Sequence, residues 1–146
     1  MKDLGFAVAV EWLSNGGERR GSLDTGGQTI AWSVPASMGG LGEGTSPEEL
    51  LLAAVGTCYS ATLAGALRRR RLPVGRVRLA VHGTVASYPE QTRFARVVVH
   101  PTLAGADPER SSEYQEAARE ARDRCFIGHS LRPDIAYDVG AVAIEA

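Results

Sequence analysis

Two thiols hold most of the chemistry open to this chain. Cys58 lies inside an apolar run, residues 50–67, and the only other cysteine, Cys125, falls at the end of a second helical pattern. A cysteine acts as a nucleophile only as its thiolate, and apolar burial works against that form. Two readings therefore stand side by side: a redox-active pair, or two inert core thiols, since free cysteine is among the most buried residue types. Cys58 is nine residues beyond Glu49, too far from the helix start for the macrodipole to act strongly. Reactivity would need an external cation, and Arg19 and Arg20 at a predicted strand start are the candidates. Adjacent strand residues face opposite sides, so the choice between them stays open.

Other reactive constellations are weaker. His82, His100 and His129 lack zinc-ligand spacing, with Cys125-x-x-x-His129 the nearest approach to one. No glycine-rich phosphate loop follows a strand, and no histidine is singled out as a base for Cys58. Neither a metal nor another cofactor is expected.

The elements that must position the thiols are readable from periodicity. Phe6, Val8, Val10 and Trp12 alternate with other residues as in a strand, and Ser14-Asn15-Gly16-Gly17 signals a turn. Residues 19–24 and 28–34 read as a second and third strand around Thr25-Gly26-Gly27, with Trp12 and Trp32 as core or interface aromatics. A glycine-rich loop, residues 35–44, leads to a strong helix start. Ser46 is the N-cap, Pro47 sits at N1 and Glu49 at N3 of a capping box. That helix is expected to end near Leu72-Pro73. Residues 77–85 and 94–103 read as two strands joined near Tyr88-Pro89.

Pro108 opens the second helix, with Tyr114, Ala117, Ala118, Ala121 and Cys125 on one apolar stripe. Residues 135–139 and 141–144 supply a last strand or a bent pair. Strands in blocks, rather than strict alternation with helices, predict an α+β fold with a largely antiparallel sheet and two main helices.

At 146 residues the chain reads as one domain, 1–146. Two cysteines are too few for a secreted disulfide scaffold, and the N-terminus lacks a signal-peptide layout, so a cytoplasmic location is expected. Residues 50–67, followed by Arg68 to Arg71, satisfy the length rule for a membrane helix. The run contains Gly56, Thr57, Tyr59, Ser60, Thr62 and Gly65, and a buried core helix fits it better. With a formal net charge of −1, no nucleic-acid partner is expected; the arginines complement the helix C-terminus instead.

Gly44-Thr45-Ser46-Pro47-Glu48-Glu49-Leu50, followed by Cys58, resembles the G-T-N-P-E-x-L segment and first cysteine of the OsmC/Ohr family of small thiol peroxidases. Cys125 matches the family's second cysteine, and the Gly-Gly-x-Arg turn points to Arg19. The resemblance covers nearly the whole chain. It implies that Cys58 is the peroxidatic thiolate, that Cys125 condenses with its sulfenic acid to form a disulfide, and that Arg19, held by Glu48, polarises the peroxide. It also implies organic hydroperoxide substrates, a lipoyl or other dithiol reductant, an intertwined homodimer, and no metal or haem. One departure stands out: Cys125-Phe126-Ile127-Gly128-His129 replaces the family's usual Cys-Pro. That change motivates an alternative, an oxidant sensor or binder of hydrophobic small molecules without efficient turnover.

Glu48 and Cys58 are ten residues apart on one predicted helix, about 15 Å of rise and roughly 80° of rotation. A glutamate side chain cannot cross that gap. An active site assembled across a homodimer, or one bridged by a long arginine, is therefore expected.

Overall fold

Thr25-Gly26-Gly27 does what its composition suggests. Gly26 and Gly27 both take positive φ, 57° and 76°, and close a tight hairpin between β2 (Arg20–Thr25) and β3 (Gln28–Ser33). β1 (Ala9–Leu13) pairs antiparallel with β2 to complete a three-stranded sheet. The computed structural model describes residues 1–13 and 19–145, and the turn expected at residues 14–17 lies outside them. The described chain divides into two units, Met1–Leu51 and Leu52–Ala146.

In the first unit, β1 departs from expectation. It starts at Ala9, so Phe6 and Val8 precede the strand, and every residue in it is exposed. An edge strand with its faces unpacked leaves alternating apolar residues in solvent. Trp12 is 56% exposed and is not a core residue, whereas Trp32 is half-buried and donates its Nε1–H to the Glu11 carbonyl. The loop after β3 is pinned back onto it. Ser33 Oγ donates to the Glu43 carbonyl at 2.6 Å and accepts the Glu43 N–H at 2.8 Å. Thr45 bridges to Trp32, which delivers Ser46 buried at the helix start.

α1 runs over Pro47–Arg69. The Ser46 hydroxyl accepts the Glu49 N–H at 3.2 Å and donates to its carboxylate at 2.9 Å, so the capping box forms as a side-chain loop. The helix ends three residues before the expected Leu72, because Arg71 turns left-handed at φ 54° and Leu72 N–H returns to the Leu67 carbonyl.

The second unit is built on β5 (Arg96–Ala104). β4 (Arg76–Thr84) pairs with it antiparallel, while β6 (Ala136–Val139) and β7 (Ala143–Glu145) follow one another along it in parallel. The bent pair is thus present, and it makes this sheet mixed. Val97, Val99, Pro101 and Leu103 point inward from β5, as a period of two requires. They meet Val55, Tyr59, Leu63, Ala66 and Leu67 of α1 and the buried stripe Tyr114, Ala117, Ala118 and Ala121 of α2 (Ser111–Arg124). α1 is long and apolar enough to cross a membrane, but these residues belong to a protein core. Pro108 opens a 3-10 turn, Pro108–Arg110, rather than the α-helix itself.

Candidate active site

Tyr59 and the alanines of α2 bring the two helices together around the thiols. The Tyr59 hydroxyl donates to the Ala118 carbonyl at 2.8 Å, and burial pushes its phenol above the ordinary tyrosine range. Cys58, next along α1, is half-buried against the same core.

Cys125 is fully buried, but it does not continue α2 as the stripe suggested. Its backbone is extended, φ −66° and ψ 115°, and it caps α2 and starts a short helix, α3 (Phe126–His129). The break turns backbone N–H groups toward the sulfurs. The Cys125 sulfur now accepts the Gly128 N–H at 3.4 Å, in the manner of an N-cap side chain, and the neighbouring Ile127 N–H reaches Cys58 Sγ at 3.4 Å. One turn of backbone thus addresses both sulfurs. Phe126, in place of the family proline, occupies the first position of α3. Proline is tolerated there because that N–H has no helical partner, so phenylalanine can occupy this helix start without demanding a different hydrogen-bond pattern.

Burial is the largest influence on Cys125 and pushes its thiol up. Tyr137, then the Gly128 N–H, pull it back, while nearby Cys58 raises it. Tyr137 projects from β6 opposite Val97. Its part in the site was not anticipated, although Tyr137 and Val139 share one face of β6, and a phenol facing inward normally seeks a polar partner.

Arg19 and Glu48 belong to the first unit. Arg19 is exposed, and its carbonyl accepts the Val34 N–H; Glu48 is half-buried at the second residue of α1. Arg20, half-buried at the start of β2, has Glu43 within 3.4 Å. The geometry of the second unit therefore brings together Cys58 and Cys125 of the four expected site residues.

His82 and His100 sit exposed on neighbouring strands with ring centroids 5.1 Å apart, and His129 Nε2 lies 2.7 Å from the Asp123 carbonyl. Among the described residues no three metal-ligating side chains gather. Two arginines at the end of α1 contact carboxylates: Arg69 contacts Glu120 at 2.8 Å, and Arg70 contacts Glu116 and Glu120.

Known proteins share this α+β fold. Residues 40–139 match the OsmC-like protein family, and the chain belongs to it. YmaD of Bacillus subtilis, an uncharacterized protein, is 25% identical over 144 residues, 97% of this chain and 95% of its own. The OsmC-like protein of Mycoplasma pneumoniae superposes with a TM-score of 0.80 at 15% identity, covering 99% of this chain and 100% of that one. An organic hydroperoxide resistance protein OsmC of Legionella pneumophila gives 0.72 at 16% identity, with 99% and 100% covered. The fold is shared with both.

Proposed function

We propose that this protein reduces organic hydroperoxides, alkyl or lipid, through a dithiol cycle. The Cys58 thiolate attacks the O–O bond, taking one oxygen as sulfenic acid and releasing an alkoxide that is protonated to the alcohol. Cys125 then displaces water from the Cys58 sulfenic acid to form the disulfide. A dithiol of lipoyl type reduces that disulfide, becoming a disulfide itself. The observation that carries this reading is the pairing of Cys58 with Cys125, each sulfur held by an N–H from the same turn of α3. The organic hydroperoxide resistance protein from Legionella, alike in fold, supports the choice of substrate class.

Arg19 and Glu48 complete the proposed site, with Arg19 polarising the peroxide and Glu48 orienting it. The protein acts as a homodimer in the reducing cytoplasm. Support for the dimer comes from apolar residues of the first unit left in solvent: Phe6 is 89% exposed, Val8 64% and Val10 63%.

One observation favours a second reading, oxidant sensing without recycling: Cys125 has 0% exposure, and a buried disulfide sulfur is slow to exchange. Consumption of cumene hydroperoxide in the presence of dihydrolipoamide separates the two. Many turnovers per chain, lost in Cys58→Ser, are expected of the reductase. A single equivalent consumed, with no recycling, would establish the sensor.

A further inference from the structure

Among the buried side-chain oxygens and nitrogens of the described residues, one lacks a hydrogen-bond partner: the Tyr137 hydroxyl. An unpaired buried hydroxyl is costly, which makes this one a donor poised for an acceptor within its own cluster. Its ring lies against Gly128, where an added Cβ would come within 2.2 Å of Tyr137 Cε2 and 2.7 Å of Cδ2. The same Cβ would stand 3.3 Å from the Cys125 Cβ. Ring, glycine and cysteine form one packed cluster that a side chain at residue 128 would break.

Within that cluster Tyr137 and Cys125 act on one another. After burial, which pushes the Cys125 thiol up, the Tyr137 hydroxyl is the leading influence drawing it back down. Tyr137 is itself pushed well above the tyrosine range, first by burial and then by Cys125, with Tyr59 and Cys58 adding to the effect. It therefore keeps its proton at any working pH. A neutral thiol is a weak acceptor and a thiolate a strong one. A bond from the Tyr137 hydroxyl to Cys125 would therefore gain strength when that thiol loses its hydrogen.

We infer that the Tyr137 hydroxyl is the hydrogen-bond donor held ready for a Cys125 thiolate, making Cys125 the leaving sulfur when the disulfide is reduced. The leaving-group half of this inference rests on the proposed cycle. The reductant's thiolate attacks Cys58 Sγ, the Cys58–Cys125 bond breaks, and its electron pair passes to Cys125 Sγ. Tyr137 O–H and Gly128 N–H then donate to that thiolate. The reductant's second thiol, its proton lost to solvent, displaces Cys58 and closes the reductant's own disulfide. Access points the same way, since Cys58 is half-buried and Cys125 fully buried. A better-stabilised leaving thiolate speeds exchange.

Tyr137→Phe removes the donor and keeps the ring. The disulfide is made in wild type and variant with diamide, so that its formation does not depend on peroxidase chemistry, and its reduction by dihydrolipoamide is followed in a stopped-flow instrument. Reduction is expected to slow about tenfold, the loss of one hydrogen bond to a charged group. In a Cys58→Ser background, Tyr137→Phe is expected to move the alkylation inflection of Cys125 to higher pH, a change that altered packing alone would not impose in that direction. Unchanged reduction, or an unmoved inflection, would overturn the inference. Wild-type indifference to cumene hydroperoxide together with both Tyr137→Phe effects would remove the peroxidase cycle and leave the donor role standing.

Discussion

Cys125 is fully buried and Cys58 half-buried, and this difference suggests their order of action. In the proposed cycle the half-buried Cys58 meets the peroxide, and the buried Cys125 resolves the sulfenic acid. Because burial raises the Cys125 thiol, it is protonated at neutral pH, and disulfide formation after a peroxide pulse is expected to accelerate as pH rises past the free-thiol value of about 8.5. The stability sign follows from the same shift. A raised folded pKa stabilises the reduced fold fully below the unfolded value of about 8.5 and loses that contribution as pH climbs through the folded one. A Cys125→Ser chain should stop at the Cys58 sulfenic acid after one equivalent, read by dimedone labelling. Continued turnover in that variant would show that resolution does not need Cys125. Both cysteines were legible in the sequence because their residue type is rare and chemically distinctive. Tyr137 was not, since a tyrosine on an inward strand face reads as packing until its unpaired hydroxyl is seen.

At the scale of elements, the capping box and the alanine stripe were written plainly. Ser46-Pro47-Glu48-Glu49 starts α1 at the expected residue, and Ala117, Ala118 and Ala121 face the core from α2. Periodicity carried the stripe one step too far. Cys125 keeps the helical spacing but leaves the helix, since spacing records which face is buried and not where the backbone turns extended. The departure depends on Gly128, which lets α3 start beneath the Tyr137 ring. Gly128→Ala is expected to cost about 1–3 kcal/mol by overpacking, measured by denaturant unfolding of the reduced protein. It should also slow disulfide formation by displacing the N–H that faces Cys125. Wild-type stability in this variant would mean that the ring moves freely, and that the cluster around Cys125 is not rigid.

At the scale of the molecule, the first strand was legible as an alternating apolar segment, and Trp12, expected in a core or an interface, lies outside the core. Val10 and Trp12 are exposed in the single chain, because alternation reports a face to be covered without saying by what. A second copy is the proposed cover, and it would supply Arg19 and Glu48 to its partner's Cys58. Mixing inactive Cys58→Ser chains with inactive Glu48→Ala chains is expected to restore activity, since one site of each heterodimer would combine intact Cys58 and Glu48. No recovery after verified subunit exchange would place each site within one chain. The most direct test of the whole account is the mass of the denatured chain after one equivalent of cumene hydroperoxide, with free thiols alkylated. The account predicts a single chain lighter by about two hydrogens, carrying no alkyl group, with Cys58 and Cys125 joined in one peptide pair. Two alkylated cysteines, or links found only between chains, would contradict it.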